Sequence, residues 1–216
     1  KALTLNRPLR VKRTRSINGF EMITHDGAPA DSVVIARGLI EDIDLFVSGI
    51  NSGANLGYQS MLTSGTVGAT IEAALMGYPA IAVSLMVKPD EWFNNADKER
   101  DYTSICEVIR DIALRVLRKG LPEGVDALNL NFPATVSEDS ELVVVKPDRI
   151  RIHNELDKRL DPNNSPYYWF KGIQNEPISG SDADIVLNEG KISLSPIIIE
   201  SASDEAILKV KEFMSD

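Results

Sequence analysis

Residues 47–85 read VSGINSGANLGYQSMLTSGTVGATIEAALMGYPAIAVSL, and this stretch determines the architecture that the sequence predicts. Residues 44–48 form a short apolar segment typical of a β-strand, whereas residues 49–65 are too rich in Gly, Asn and Ser to predict a helix or strand. Residues 66–76 have helical composition and end at a Gly-Tyr-Pro stop signal. Residues 80–85 are almost entirely apolar, which indicates a parallel strand covered by helices on both faces.

The flanking segments continue this alternation of strands and helices. The spacing of apolar residues predicts a helix over residues 30–41. Residues 98–119 predict the most regular amphipathic helix of the chain, with Cys106 in its apolar stripe. Residues 126–131 predict the next strand. Residues 27–132 therefore predict a Rossmann-like, doubly wound α/β unit with a mostly parallel sheet.

The start of the chain predicts an antiparallel pair of strands. Residues 8–14 alternate between polar and apolar side chains, residues 20–24 are short and apolar-rich, and Asn18-Gly19 between them is a strong hairpin signal. The basic residues here favour the solvated face of a strand over an anion-binding site. They are Arg7, Arg10, Lys12, Arg13 and Arg15.

A second antiparallel hairpin is predicted over about residues 148–172. This segment is charged, interrupted by prolines, and then aromatic at Tyr167-Tyr168-Trp169-Phe170. The residues leave two interpretations equally open: an arm that packs on a partner subunit, or a surface hairpin that folds back on its own domain.

The segments after Pro133 predict two more strands and a terminal helix. The strands are predicted over residues 142–146 and 191–195, and the helix over residues 203–214 with Ser203 as its cap. We therefore predict an α/β core over residues 1–135 and a C-terminal extension over residues 136–216, which holds the hairpin arm, a strand and the terminal helix.

Composition narrows the classes of function. The 216 residues carry 23 basic and 32 acidic side chains and a net charge of −9, which argues against binding of a nucleic-acid polymer. The single cysteine, Cys106, cannot form an internal disulfide and favours a core position over a nucleophilic role. We see neither an apolar run long enough for a membrane span nor a signal peptide, so we expect a cytoplasmic protein.

The glycine-rich loop is the main candidate site. Gly49, Gly53, Gly57 and Gly65 allow positive φ and close approach of the backbone to a ligand. Loops at the carboxyl ends of parallel strands bind ligands in α/β sheets, and a helix N-terminus offers free amides to a phosphate.

Two hydroxyls and two amides extend this candidate site. Ser64-Gly65-Thr66 lies where the helix begins, and Asn51 and Asn55 could contact a cation or a phosphoryl oxygen. The loop matches neither standard nucleotide fingerprint, so a purely structural turn stays an alternative.

Other polar residues give weaker signals. His25 and His153 have no nearby cysteine or second histidine, so we expect ordinary surface or packed histidines. Asp182 and Asp184 more often cap a turn and face solvent than form a catalytic pair. A nucleophilic serine at position 48 or 64 would need a base, and no histidine is placed for that role.

Five blocks of sequence resemble the SurE family of nucleotidases, in the family's order and over almost the whole chain. They are LTLNRPLRV (3–11), GAPADSV (27–33), SGINSGANLG with SGTVGATIEAALMGYPAIAVSL (48–57 and 64–85), DPNNSPYYWF (161–170) and EGKISLSPI (189–197). The resemblance implies an α/β core with exchanged C-terminal elements in a homodimer or homotetramer. It also implies subunit contact for the aromatic hairpin.

The resemblance further implies hydrolysis of nucleoside monophosphates with a divalent cation, Mg²⁺ or Mn²⁺. Carried over by position, Asn51 is the metal ligand, and Asn55, Ser64, Gly65 and Thr66 hold the phosphate, with Asn51, Ser64 and Thr66 acting in catalysis. The expected function is metal-dependent phosphomonoester hydrolysis.

The chain departs from the family pattern at two places. Many members carry an acidic GDD stretch where residues 57–60 read GYQS. Members also begin with a strand that ends in a metal-binding NDDG motif and supply a further serine ligand, and neither is present here. We therefore expect the natural protein to possess an upstream segment.

Two other functions stay open at this point. One is binding of phosphate or a nucleotide without catalysis, either natively or because this chain lacks the N-terminal metal ligands. The other is an oligomeric scaffold that acts through the aromatic hairpin.

Overall fold

A computed structural model describes residues 3–16, 18–87, 101–149, 152–200 and 202–215. The strands are β1 (Val11–Arg15), β2 (Glu21–His25), β3 (Phe46–Ser52), β4 (Ala80–Leu85), β5 (Ala127–Phe132), β6 (Leu142–Val144), β7 (Ile152–Leu160), β8 (Pro166–Gln174) and β9 (Ile192–Ile197). The helices are α1 (Pro29–Leu39), α2 (Gly57–Thr63), α3 (Gly65–Leu75), α4 (Thr103–Lys119), α5 (Asp182–Leu187) and α6 (Asp204–Phe213).

A five-stranded sheet in the order β3-β4-β5-β9-β6 forms the centre of the molecule. β3, β4 and β5 run parallel, β9 is antiparallel to β5, and β6 is parallel to β9. All six residues of β4 are buried. A parallel strand reaches such burial only when helices cover both faces of its sheet, so the predicted doubly wound α/β class is confirmed.

The side chains of β4 show how the two faces are covered. Ala80 and Ala82 pack in one apolar cluster with Val67 and Ala73 of α3. Ile81, Val83 and Leu85 point to the other face, where they share a second cluster with Ile105 and Val116 of α4. Side chains alternate across a strand, and this places α3 and α4 on opposite sides of the sheet.

The C-terminal part of the chain contributes to the same sheet. β9 lies between β5 and β6, and the register pairs Leu130 with Leu194 and Val143 with Ser193. The predicted division into residues 1–135 and 136–216 therefore runs through the sheet rather than beside it.

The predictions differ from the structure at β3, α2, α5 and Cys106: β3 extends to Ser52, beyond the predicted end at residue 48, and α2 and α5 were not predicted. Residues 57–63 were expected to be loop but form α2, whose Met61 is buried in the core. Cys106 was expected in the core but is exposed. It lies about 100° round α4 from the buried Ile105, at the margin of the apolar face. The expected start of α4 at residues 98–100 lies outside the described residues.

The hairpins and the terminal helix agree with prediction. β1 and β2 pair antiparallel around Gly19, which has φ of 81°. Every residue of β1 is exposed, as expected for its basic side chains. β7 and β8 pair antiparallel, with Leu160 opposite Pro166 next to the turn. Ser203 caps α6, since its Oγ accepts a hydrogen bond from the Ala206 amide at 3.2 Å. No helix in the described ranges is both long and apolar enough to cross a membrane.

Candidate functional site

The glycine-rich loop leaves the carboxyl end of β3 and leads through α2 to the start of α3. Ser64 caps α3: its Oγ accepts a hydrogen bond from the Val67 amide at 3.2 Å, and its carbonyl accepts one from the Gly68 amide at 3.1 Å. Within the described part of the chain, the amides of Gly65 and Thr66 and the Thr66 hydroxyl have no hydrogen-bond partner. These groups lie at the positive end of the helix dipole and can bind a phosphate.

The glycines of this loop have two different roles. Gly49, Gly53 and Gly57 have φ of 136°, 116° and 74°, so positive φ is confirmed there. Gly65 is not among the positive-φ residues, and that part of the prediction is wrong. A Cβ at Gly65 would lie 2.9 Å from Cγ of Pro29 at the start of α1. Position 65 therefore needs glycine because α1 and α3 approach closely.

Asn51 lies next to the C-terminal residue of β3, opposite Ser84 of β4. Its Nδ2 donates a hydrogen bond to the Gly53 carbonyl at 2.6 Å, which fixes the orientation of the side-chain amide. Its Oδ1 accepts no hydrogen bond from the residues that the structure describes. The oxygen is therefore available to a ligand, as an amide oxygen of a cation site must be.

Asn55 is held by the sheet. The residue is 7% exposed, its backbone amide donates to Oδ1 of Asn131 at 2.8 Å, and its Nδ2 donates to Oγ of Ser84 at 2.7 Å. Its carbonyl accepts a hydrogen bond from Nδ2 of Asn129 at 3.0 Å. These contacts fix the loop over the ends of β4 and β5, and the phosphate-binding role of Asn55 stays a prediction.

Asp182 is a buried residue of this site that the sequence did not reveal. The expectation that it faces solvent is wrong, because Asp182 is 0% exposed at the first turn of α5. Its carboxylate accepts hydrogen bonds from the amides of Gly57 at 2.8 Å, Asp148 at 2.7 Å and Ala183 at 2.8 Å. Burial raises the pKa of this carboxyl, although the three amide hydrogen bonds oppose that effect.

Asp184 follows the prediction more closely. It accepts a hydrogen bond from the Gly180 amide at 2.8 Å, which closes the turn before α5. That hydrogen bond, followed by one that Nδ2 of Asn188 donates to the carboxylate, lowers the pKa of the Asp184 carboxyl. The only sequence signal that separated the two aspartates was the run Ala183, Ile185 and Val186, whose apolar side chains place Asp182 beside the core.

His25 makes its hydrogen bonds away from this site. Nε2 of His25 lies 2.7 Å from Oγ of Ser32, and Nδ1 accepts a hydrogen bond from the Gly27 amide at 3.0 Å, as in an ordinary packed histidine. The side chain of His153 lies outside the described residues.

Asn51 fits one position of a divalent cation site, since Mg²⁺ and Mn²⁺ prefer oxygen ligands. Among the described residues there is no group of three or more His, Cys, Asp or Glu side chains that could hold a metal ion. Asn51 therefore offers a neutral oxygen ligand without such a group beside it in the part of the chain that the structure describes.

Comparison with known proteins gives a consistent result. The model of the family "Survival protein SurE" matches residues 1–154. A protein of Thermofilum pendens named 5'-nucleotidase SurE is 40% identical over 222 residues, which cover 99% of this chain and 83% of that protein. A protein of the same name from Thermococcus gammatolerans is 38% identical over 99% of this chain and 80% of its own length.

A solved structure supports the same relationship. The crystal structure of SurE protein from Aquifex aeolicus superposes with a TM-score of 0.76 and 29% identity, over 100% of this chain and 83% of that one. The family match, the relatives and the shared fold agree with the motifs around Asn51 and Ser64, and on these grounds the chain is a member of the SurE family.

Proposed function

We propose that the chain is a 5'-nucleotidase that hydrolyses nucleoside monophosphates to a nucleoside and inorganic phosphate. The observation that carries this proposal is the open start of α3, where the Gly65 and Thr66 amides lie beside the Ser64 and Thr66 hydroxyls. The relatives named 5'-nucleotidase support this substrate class.

Four groups at the start of α3 hold the phosphate in this proposal. The Gly65 and Thr66 amides donate to phosphoryl oxygens, and the hydroxyls of Ser64 and Thr66 add two further donors. Ser64 Oγ already accepts from Val67, so its hydrogen is free to point toward the ligand. Fixed donors of this kind stabilise the charge on the transferring group because they need no reorganisation during the reaction. Asn55 would add its remaining amide hydrogen from the side of the sheet.

Asn51 would hold a divalent cation, Mg²⁺ or Mn²⁺, through its Oδ1. A cation bound there would polarise a phosphoryl oxygen and make water a stronger nucleophile. The hydrogen bond from Asn51 Nδ2 to Gly53 keeps the oxygen turned outward. In the hydrolysis itself, water adds to phosphorus, the bond to the nucleoside oxygen breaks, and the proton that water loses passes to that oxygen, so no covalent intermediate with the protein is required.

Phosphate release from nucleoside monophosphates tests the function directly. The natural full-length protein, with Mg²⁺ or Mn²⁺, is expected to release phosphate with multiple turnovers, and a chelator is expected to stop the reaction. Binding of a mononucleotide without release under any of these metals would contradict the proposal and favour a nucleotide-binding protein.

Thr66→Val tests the phosphate site at one atom. Valine keeps the shape of threonine but removes the hydroxyl, and loss of one such donor typically lowers kcat by about 100-fold. Thr63→Val is the matched control, because the Thr63 hydroxyl donates within α2 to the Gln59 carbonyl at 2.8 Å. Steady-state kinetics should show the loss for Thr66→Val alone; equal activities of the two variants would remove Thr66 from the site.

We further propose that the hairpin and α6 mediate assembly into a homodimer or homotetramer. Trp169 and Phe170 of β8 are 59% and 80% exposed, and Phe213 of α6 is 78% exposed. Aromatic side chains this exposed are typical of surfaces that bind a partner. Sedimentation velocity at micromolar concentration should give a species of at least twice the monomer mass, and a monomer would contradict the proposal.

We also propose a cytoplasmic location. The chain has a single cysteine, Cys106, so it does not depend on internal disulfides and suits a reducing compartment. The proposed substrates are intracellular metabolites, which favours the same compartment.

A further inference from the structure

The carboxylate of Asp182 connects two segments that are far apart in the chain. Its Oδ2 accepts a hydrogen bond at 2.8 Å from the amide of Gly57, which is 125 residues away in the chain. Its Oδ1 accepts a hydrogen bond at 2.7 Å from the amide of Asp148, which is 34 residues away. Gly57 begins α2 in the candidate site loop, and Asp148 lies just before β7 of the hairpin. One buried side chain therefore fixes the loop relative to the base of the hairpin.

Asp148 strengthens this connection from the other side. Its carbonyl accepts a hydrogen bond from the Tyr58 amide at 2.8 Å, so the consecutive amides of Gly57 and Tyr58 both bind the Asp148–Asp182 pair. Oδ2 of Asp148 in turn accepts the Ile178 amide at 3.0 Å. Hydrogen bonds from two consecutive backbone amides, one to a carboxylate and one to a carbonyl, fix both the position and the direction of the start of α2.

Apolar packing encloses these hydrogen bonds. Leu56, next to Gly57, is buried against Ala183 and Val186 of α5. Water is excluded there, so a Gly57 amide that lost its acceptor would stay without a partner, which is more costly than losing a hydrogen bond at the surface. The loop is thus held at Asn55 by the sheet and at Gly57 by Asp182.

We propose that Asp182 is a positioning residue of the phosphate site: by holding Gly57 it fixes residues 53–57 together with the sheet contacts of Asn55, and through this segment the orientations of Asn51 and Asn55. The inference rests on the proposed function, because it assigns a purpose to a residue that touches no phosphate itself. Asn51 is linked to the other end of this segment, since its side-chain Nδ2 donates a hydrogen bond to the Gly53 carbonyl.

Asp182→Asn is the sharpest test. An asparagine at this position can keep an oxygen toward the Asp148 and Ala183 amides but then presents an NH₂ group to the Gly57 amide, which removes that one hydrogen bond. We expect the Kd for inorganic phosphate and the KM for a nucleoside monophosphate to rise at least about 10-fold. Amide exchange at Gly57 and Tyr58 should also become faster.

Asp184→Asn is the matched control. Asp184 is on the same helix turn but binds Gly180 and Asn188, and it makes no hydrogen bond to the site loop. We expect this variant to bind phosphate as the wild type does. A purely structural role for Asp182 would lower the melting temperature and the folded fraction of Asp182→Asn but leave the Kd of the folded protein unchanged, and that result would overturn the inference.

Two further outcomes keep the inference and the proposed function apart. If the wild-type protein binds no phosphate, the proposed function fails, and the inference fails with it. If the wild type binds phosphate but Asp182→Asn does not fold, amide hydrogen exchange of the wild type tests the inference instead. Bound phosphate should then increase the protection of the Gly57 and Tyr58 amides against exchange. Unchanged protection at both amides would contradict the inference alone.

Discussion

Asn51→Ala is expected to lower metal-dependent phosphate release from nucleoside monophosphates by at least about 100-fold, since even residues outside a ligand set are typically worth about 10- to 100-fold. Alanine removes the side-chain oxygen of Asn51, which accepts no hydrogen bond from the described residues and is the proposed cation ligand. It also removes the hydrogen bond from Nδ2 to the Gly53 carbonyl. Phosphate release measured over a titration with Mg²⁺ and Mn²⁺ gives both the turnover and the apparent metal affinity.

Asn163→Ala is the control for this experiment. Asn163 has the same chemistry but lies exposed in the turn between β7 and β8. Its activity should match the wild type. Turnover of Asn51→Ala equal to that of the wild type at saturating metal would remove Asn51 from the metal site.

Gly49→Ala is expected to lower the free energy of unfolding by about 3 kcal/mol or more, because two unfavourable effects add. Gly49 has φ of 136°, a conformation that residues with a Cβ rarely adopt. The new Cβ would lie 2.3 Å from the carbonyl oxygen of Val83, which belongs to the neighbouring strand and cannot swing away. Urea unfolding followed by circular dichroism measures the change.

Gly38→Ala is a comparison variant for which we expect the free energy of unfolding to rise rather than fall. Gly38 lies in α1, and a Cβ there meets nothing within 4 Å. Alanine is the better helix former, so this variant should gain about 0.5–1 kcal/mol. A Gly49→Ala protein as stable as the wild type would show that β3 and β4 can separate without loss, against the close contact seen here.

The elements that the sequence predicted well are those whose signals are local. β4 was predicted over residues 80–85, the bounds that it has, because an unbroken apolar run between helices has one interpretation. α3 was predicted from residue 66 and begins at Gly65, since Ser64 is a cap and Gly77 a stop. α2 was missed because seven residues are too few to show a helical period and because its start depends on Asp182, 125 residues away.

The candidate site shows the same difference between features with local signals, which the sequence predicts, and features that depend on distant residues. The sequence correctly indicated that Ser64 opens the helix, since capping depends on neighbouring residues. It could not separate the environments of Asn51 and Asn55, because the partners of Asn55 are residues 129 and 131 on another strand. The burial of Asp182 is equally nonlocal. Spacing alone cannot reveal such contacts.

The position of β9 between β5 and β6 has a consequence for synthesis on the ribosome. A chain emerges from its N-terminus, so β5 and β6 are made before the strand that joins them. Until residue 197 has left the exit tunnel, one edge of β5 has unpaired amides and carbonyls that another nascent chain could bind. A message truncated before the codon for Ile192 would leave that edge open permanently, and its product should aggregate rather than accumulate as a smaller soluble protein.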